Sequence, residues 1–274
     1  MGIFNKIFKV KADEIEEELK GTAKHEEEWD FYLSNVDNII GSFFLDLGLA
    51  KVAPIADYTN LIWVSVTMND PKENGLSSNK ESDILDQIEE RLINFINEKH
   101  QAIYTGRLTS NGKRDLYFYV VNSLLYDKTI SEAMVAFPSY EYDIGISEDA
   151  QWSHYFDFQY PLPQQFQSIQ NRRVLYQLEK NGDKLIKERQ VDHWIYFKTP
   201  IDKDAFFKKI ENDGFKIVDD DHDPKLGITP YRLHISRIDK VDHNSIDDHT
   251  LYLWGLAQEC NGEYDGWETS VEKE

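Results

Sequence analysis

The sequence predicts a two-domain α+β protein, and three observations support this prediction. The chain has 274 residues, which exceeds a typical single domain and is enough for two. Stretches with strand-like alternation and stretches with helical spacing follow one another without the regular repeat of a parallel sheet. Two prolines among polar residues at 160–165 indicate a linker between two series of such stretches. We therefore expect domains at residues 25–160 and 166–274, preceded by an amphipathic tail or helix at residues 1–24.

The first domain is expected to be an antiparallel sheet with helices. Asn111 and Gly112 form a pair that favours a tight turn, so the residues on both sides are predicted to be paired strands. Apolar residues recur at helical spacing from Ile84 to Ile96, and Ser82 or Asp83 is placed to cap this helix. The other predicted elements are strands at 29–32, 39–49 and 61–68, a loop at 69–79, a helix around 131 and a strand at 135–137 or 142–146.

The second domain is expected to begin with a helix and to continue as strand, helix, strand, strand, helix and strand. That order is typical of a ferredoxin-like split βαβ sandwich, here with an extra leading helix. In its first strand, Arg189–Phe197, alternation places Val191, His193 and Ile195 on one face and Asp192, Trp194 and Tyr196 on the other. Asp202 or Asp204 is predicted to open the next helix. The remaining elements are predicted at 166–180, 215–218, 231–238, 245–259 and 263–271.

Composition and charge indicate a folded protein and argue against some classes of binding partner. Hydrophobic residues make up 41% and aromatic residues 13% of the chain, which is enough to build cores. The formal net charge of −20 argues against direct nucleic-acid binding, which needs a basic patch, and favours basic partners. The single cysteine, Cys260, suits a reducing compartment, and no apolar run is long enough to span a membrane. We therefore expect a cytoplasmic protein that does not bind membranes.

Three segments of the second domain carry a resemblance to a known family. They are Arg189–Phe197, the turn at Gly214 and Phe215, and residues 260–269, in which two glycines, two aromatic residues and three acids follow one another between 262 and 268. Over about residues 166–271 the chain resembles the bacterial regulator of ribonuclease activity B. Upstream, the chain resembles an uncharacterised bacterial domain of unknown function that is often fused to this module. The upstream likeness rests on Asn74-Gly75-Leu76, Ile88-Glu89, Gly106-Arg107 and Gly112-Lys113-Arg114.

The resemblance implies a binding protein and not an enzyme. The family's named member binds a ribonuclease through protein–protein contact, so the implied partner is a ribonuclease or RNA-degradation complex with a basic segment, and no cofactor or metal is implied. An acidic surface would suit such a partner. The residues that we expect to contact it are Arg189, Asp192, His193, Trp194, Tyr196, Glu263, Tyr264, Asp265, Trp267 and Glu268.

Several of these residues also have a structural interpretation. His193 lies on the apolar face of its strand and is either a core histidine or a recognition residue. Trp194 and Tyr196 form an exposed aromatic anchor or pack beneath a helix. Residues 263–268 form a turn and bulge, or an acidic-aromatic surface that meets arginine side chains. Cys260 is expected to pack at a helix end.

Other clusters support weaker alternatives. Residues 219–223 hold four aspartates and a histidine and are interpreted as a solvated loop or a cation site. The same two interpretations apply to His243, Asp247, Asp248 and His249, where Ser245 and Asp247 are explained as helix-start residues. Arg107, Lys113 and Arg114 form a basic spot at the hairpin that binds an anion, docks the second domain or is solvated. The alternative function is a hydrolase-like or metal-dependent enzyme with a carboxylate and histidine site between the domains. A third alternative is that the upstream domain senses a ligand.

Overall fold

The structure, a computed structural model, describes residues 25–273, so the predicted tail or helix at residues 1–24 lies outside the described residues. The described residues divide into two compact units, 25–165 and 166–273. Helices and strands are mixed throughout, and each unit contains one antiparallel sheet. The predicted α+β class with two domains is therefore confirmed.

The N-terminal unit is built on a six-stranded antiparallel sheet with the strand order β1-β2-β4-β5-β3-β6. Asn111 and Gly112 both have positive φ, 49° and 73°, and join β4 to β5 in the predicted tight hairpin. The strands are β1 (Trp29–Val36), β2 (Ile39–Asp46), β3 (Asn60–Thr67), β4 (Ala102–Ser110), β5 (Lys113–Val120) and β6 (Tyr142–Glu148). The helices are α1 (Asn79–His100) and α2 (Tyr126–Met134).

One face of this sheet is covered by α1 and α2. The buried side chains of α1 repeat at helical spacing, and they pack on alternate residues of β3 and β5 to form one apolar cluster. The Ser78 hydroxyl caps α1 by accepting a hydrogen bond from the Glu81 N–H, so the prediction that Ser82 or Asp83 caps this helix is wrong. The helix begins earlier than its apolar periodicity indicates because its first turn is polar.

The other face of the same sheet is partly covered by the segment that follows β6. Trp152 is fully buried and stacks on Tyr119, with ring centroids 4.0 Å apart. A single turn of π-helix, His154–Gln159, continues from it. The Tyr155 hydroxyl donates to the carbonyl oxygen of Asp46 at 2.8 Å, and the Trp152 indole donates to that of Tyr58 at 2.9 Å. These contacts fix the π-helix against the sheet.

The C-terminal unit has a four-stranded antiparallel sheet with the order β10-β7-β9-β8. Each pair of strands joined by a helix is separated by one antiparallel strand, which is the split βαβ arrangement predicted for this unit. Its elements are α3 (Pro163–Lys180), β7 (Arg189–Phe197), α4 (Pro200–Ile210), β8 (Lys216–His222), β9 (Tyr231–Asp239), α5 (His243–Glu259) and β10 (Gly262–Thr269). Apolar residues of α4 and α5 pack on the face of β7 that carries Ile195 and Phe197, and α3 packs beside Val191 on the same face.

Three boundaries in this region differ from the sequence prediction. The stretch predicted as a linker, 160–165, contains the start of α3 at Pro163, because proline is well tolerated in the first helical turn. Helix α4 is capped by Thr199 and not by Asp202 or Asp204, and α5 is capped by Asp242. The acidic residues predicted as the loop 219–223 lie mostly in β8, an exposed edge strand that pairs with β9.

Candidate functional site

Side chains alternate between the two faces of β7, and the two faces differ in burial. Val191, Ile195 and Phe197 are buried against the helices of the C-terminal unit. Asp192, Trp194 and Tyr196 lie on the opposite side of the sheet, which we call the open face, and each is half-buried. The sheet therefore presents two aromatic side chains and a carboxylate on the side opposite the helices α3, α4 and α5.

At the centre of the open face, Trp194 is held by a residue of the neighbouring strand. The register pairs Trp194 with His234, and their rings stack with centroids 4.5 Å apart and planes 18° apart. The His234 Nε2 lies 2.8 Å from a carboxylate oxygen of Asp192. The stack and this contact restrict the indole to one orientation, so a partner would meet an aromatic surface that is already ordered.

Acidic groups surround this stack. Arg232 of β9 pairs with Asp219 at 2.7 Å and with Asp221 at 3.5 Å, so these carboxylates are attached to the open face by its own cation. Burial and the charge of Asp265 raise the pKa of Tyr196, which keeps that phenol neutral. Carboxylates outnumber cations across the open face, where Asp192, Asp219, Asp221, Glu263 and Glu268 accompany Arg232 and Lys216.

Four of the predicted contact residues are interior. His193 is fully buried, its Nδ1 lies 2.8 Å from the Tyr264 hydroxyl, and burial lowers its pKa to about 3, so it is a neutral core histidine. Trp267 donates its indole N–H to the Asn171 side-chain oxygen at 2.8 Å. Arg189 is buried as well. These residues stabilise the sheet from within, and we do not retain them as contact residues.

Arg189 links the loop before β7 to the residues that follow β10. Its guanidinium forms a two-pronged pair with the carboxylate of Asp183, and both side chains are almost fully buried. The same carboxylate accepts the N–H groups of Leu185 and Glu272, each at 2.8 Å. Chiefly because of Arg189, the pKa of Asp183 lies well below its usual range. The predicted contact role of Arg189 is thus replaced by a structural one.

Two regions of the chain match the models of protein families. Residues 168–269 match the family model described as Regulator of ribonuclease activity B (RraB), and residues 27–160 match Family of unknown function (DUF695). This chain joins a DUF695 region to an RraB region. The RraB match covers all four strands of the C-terminal sheet, including the open face. The C-terminal region is therefore similar to a family that is described as regulators of ribonuclease activity.

Two further comparisons add little. No curated protein matches the chain. A crystal structure of an unknown protein from Galdieria sulphuraria is 10% identical, with 78% of this chain and 99% of that chain covered and a TM-score of 0.22. A TM-score this low supports no argument about the fold or the function of the chain.

The terminal segment of the RraB region contains the bulge that is one of the two interpretations given above for residues 263–268. The register shifts between Tyr264 and Gly266, so Asp265 is the extra residue of a β-bulge. This bulge borders a groove of about 210 Å³ against α3, with Phe166, Val174 and Trp267 in its walls. Asp265 therefore lies half-buried beside this groove, and burial raises the pKa of its carboxyl group.

The candidate metal ligands do not come together. Within residues 25–273, no group of three or more His, Cys, Asp or Glu side chains is arranged to hold a metal ion. The carboxylates of β8 pair instead with Arg232 and with Lys203 of α4. Burial raises the pKa of the Cys260 thiol, which packs at the end of α5 as predicted. No helix in the described part of the chain is long and apolar enough to cross a membrane.

The predicted basic spot of the DUF695 region does not form. Arg107 and Arg114 point toward α1, where both pair with the buried Glu89, and Arg114 also pairs with Asp86 at 2.6 Å. Lys113 lies on the other side of the sheet and pairs with Asp143 at 3.3 Å. Lys113 therefore does not share a surface with the two arginines, whose charges are paired with carboxylates of α1.

His234 and Arg232 are the open-face residues that sequence reasoning missed. Both alternate with buried residues along β9, Leu233 and Ile235, and this alternation was a signal that they share one face. Their pairing with β7 depends on the register of two strands that are distant in sequence. The stack of His234 on Trp194 could therefore not be predicted from the sequence.

Proposed function

We propose that this chain is a non-catalytic regulator that binds a ribonuclease, or a component of an RNA-degradation complex, through the open face of its RraB region. The observation that carries this proposal is the stack of Trp194 on His234, held by Asp192, on an acidic surface. The family match supports the ribonuclease as the type of target. The non-catalytic role rests on the same match, and the cytoplasm remains the proposed compartment on the sequence arguments given above.

The physical chemistry of this face favours a partner with a basic, arginine-containing segment. Binding energy in protein interfaces concentrates on a few aromatic or arginine residues that become desolvated. A guanidinium can stack on the exposed side of Trp194 and pair with a neighbouring carboxylate such as Glu268. The excess of carboxylates attracts basic segments from a distance and repels RNA, so the protein would act on the ribonuclease and not on its substrate.

A two-step experiment tests the proposal. The full-length chain is first used to capture proteins from its native cell lysate, and any ribonuclease that is retained is purified. RNA cleavage by that ribonuclease is then measured as the wild-type chain, Trp194→Ala or Tyr176→Ala is added. Tyr176 is a matched control because it is an aromatic residue of the same unit that is 60% exposed on α3.

The expected result is that wild type and Tyr176→Ala change the cleavage rate to the same extent. Trp194→Ala should require about tenfold or more protein for the same effect, because a central aromatic anchor typically contributes ~2 kcal/mol or more. Circular dichroism establishes that both variants are folded. Equal potency of folded Trp194→Ala and wild type would exclude the open face as the contact, and failure to capture or modulate any ribonuclease would count against the ribonuclease target.

A further inference from the structure

The DUF695 region contains a cavity that the proposed function does not use. It has a volume of about 660 Å³ and lies on the face of the six-stranded sheet opposite α1 and α2, beside the π-helix. This size falls in the range of small-molecule sites, ~300–1,000 Å³. The polar and aromatic side chains that line it are Trp63, Ser65, Lys113, Asp115, Tyr117, Asp143, Ser147 and His154.

Strand register brings the central groups together. Trp63 of β3 is opposite Tyr117 of β5, and Ser65 is opposite Asp115. Asp115 is therefore a diagonal neighbour of Trp63 on the same face, at a typical separation of ~7–8 Å. Trp63 lies directly against β6, because a Cβ atom on Gly145 would come within 2.3 Å of its indole. The glycine thus lets an aromatic surface form one wall of the cavity.

The π-helix supplies a rigid second wall. The carboxylate of Asp149 accepts the N–H groups of Ser153 and His154, at 2.8 and 2.9 Å, and the hydroxyl of Tyr119. The His154 ring packs on Tyr117 with centroids 4.4 Å apart. Burial lowers the pKa of His154 to about 4, so this imidazole is neutral at pH 7 and does not repel a cation. Isolated π-helical turns occur frequently at functional sites.

The cavity lining carries a net negative charge, and one of its carboxylate oxygens has no hydrogen-bond partner among the described residues. The ammonium group of Lys113 pairs with Asp143 at the exposed rim. Asp115 is half-buried, and its Oδ1 is buried without a hydrogen-bond partner among the described residues. A buried polar atom that lacks a partner is costly, so such atoms call for an explanation at the site where they occur. The same is true of His154, whose Nε2 is buried and unpartnered.

We propose that this cavity binds a small guanidinium compound about the size of arginine, stacked on Trp63 and paired with the carboxylate of Asp115. Because Lys113 pairs with Asp143, the carboxylate of Asp115 leaves the lining with a net negative charge, which disfavours an anion. An apolar ligand would leave the buried Oδ1 of Asp115 without a hydrogen-bond donor. A guanidinium is planar, always charged and able to donate several hydrogen bonds while it stacks on an aromatic ring. Those properties match an indole wall with a carboxylate diagonally across the strand pair.

Isothermal titration calorimetry of the full-length chain tests the proposal. The probe is N-acetyl-L-arginine amide, which carries a guanidinium group and no other charge. Its comparison is N-acetyl-L-citrulline amide, in which an uncharged urea group has nearly the same shape. We expect saturable binding of the arginine compound and binding of the citrulline compound that is weaker by about tenfold or more, since a charged hydrogen-bonded pair is lost.

Variants locate the site. Asp115→Asn should weaken binding of the arginine compound by about tenfold, and Trp63→Leu by about fivefold. Asp57→Asn, an exposed aspartate of the same unit, and Trp194→Ala on the open face should leave it unchanged. Circular dichroism verifies folding, and the comparison of the two ligands on wild type needs no variant. The proposal is overturned if wild type shows no saturable binding up to about 10 mM, if both ligands bind equally, or if folded Asp115→Asn binds like wild type.

Discussion

Arg189 and Asp192 lie on the same strand, yet the pleat of β7 sends their side chains to opposite sides of the sheet. Asp192 helps to hold the aromatic stack of the open face. Arg189 lies in the interior and joins Asp183 to the chain that follows β10. Of these two charged residues on one strand, Asp192 lies on the face that we propose binds a partner, and Arg189 stabilises the interior.

Removal of one member of the Arg189–Asp183 pair should destabilise the C-terminal unit strongly. We expect Asp183→Asn to lower the free energy of unfolding by ~3 kcal/mol or more, because it leaves a buried guanidinium without its counter-charge. Urea denaturation followed by circular dichroism measures this change. Glu259→Gln is the control, since it breaks the exposed pair with Lys209 and should cost no more than ~0.5 kcal/mol. Similar costs for both variants would contradict the structural role of Arg189.

The same pair predicts how stability depends on pH. The pKa of Asp183 in the folded protein lies below that of an unfolded aspartate, about 3.9, chiefly because Arg189 binds the carboxylate. Its stabilising contribution is therefore complete above about pH 4 and is lost as the pH falls below that value. The free energy of unfolding of wild type should drop more steeply than that of Asp183→Asn between about pH 4 and pH 2. Parallel pH profiles for the two proteins would refute this assignment.

At the scale of elements, the loop before α1 is tied to the hairpin of β4 and β5. The Gly112 N–H donates to the carbonyl oxygen of Gly75 at 2.9 Å, and both residues have positive φ. A Cβ atom on Gly75 would lie 2.8 Å from the backbone nitrogen of Asn111, whereas one on Gly112 would have its nearest neighbour, Pro71, at 3.8 Å. The two glycines thus share a left-handed backbone conformation, which would be strained for a residue with a Cβ atom, but they differ in the space around them.

This difference gives a matched pair of substitutions. Gly112→Ala should lower the free energy of unfolding by ~1–2 kcal/mol, the cost of a left-handed conformation for a residue with a Cβ atom. Gly75→Ala should cost a further ~1–3 kcal/mol, because the new methyl group meets backbone that cannot move freely. Thermal unfolding of both variants measures the two costs. If Gly75→Ala were no more destabilising than Gly112→Ala, the loop would not be packed on the hairpin as described.

Most elements were predictable because their signals are local. The period of β7, the apolar spacing of α1 and the Asn111-Gly112 turn lie within short stretches of sequence. The second half of β8 was missed because aspartates are poor strand formers, and the pairing of this strand with β9 outweighs that preference after a register shift before Asp219. The π-helix was missed because a single wide turn has no distinctive sequence pattern, and its stability comes from tertiary contacts such as that of Trp152.

The candidate site was predictable in part for the same reason. Alternation along β7 placed Asp192, Trp194 and Tyr196 on one face, and the structure agrees with that placement. The burial of Arg189 depends on Asp183, which lies in the preceding loop and gave no local signal. The cavity of the DUF695 region needs the register of three strands, so no single stretch of sequence reveals it.

At the scale of the whole molecule, each unit buries a hydrophobic cluster of its own. We therefore expect two transitions when the full chain is unfolded by scanning calorimetry. Asp183→Asn should lower the midpoint of one transition, and Gly75→Ala should lower the midpoint of the other. A single transition that both substitutions shift would show that the two clusters unfold as one cooperative structure.

The net charge of −20 predicts how the proposed complex responds to salt. Attraction between an acidic protein and a basic partner is screened over ~10 Å at 0.1 M salt, which slows association more than it speeds dissociation. The association rate constant for a captured ribonuclease should fall by about tenfold or more between about 50 and 500 mM salt. Surface plasmon resonance measures both rates, and a rate constant independent of salt would contradict binding through an acidic surface.

The two edge strands of the C-terminal sheet affect whether copies of the chain aggregate at high concentration. Strands at a sheet edge can pair with another copy and start fibrils. On one edge, β8 carries Asp219, Asp220 and Asp221 in succession, all exposed, so two copies aligned there would bring like charges together. On the other edge, the bulge at Asp265 interrupts the regular backbone of β10. Both edges therefore disfavour growth of this sheet into an aggregate, although its open face carries two half-buried aromatic side chains.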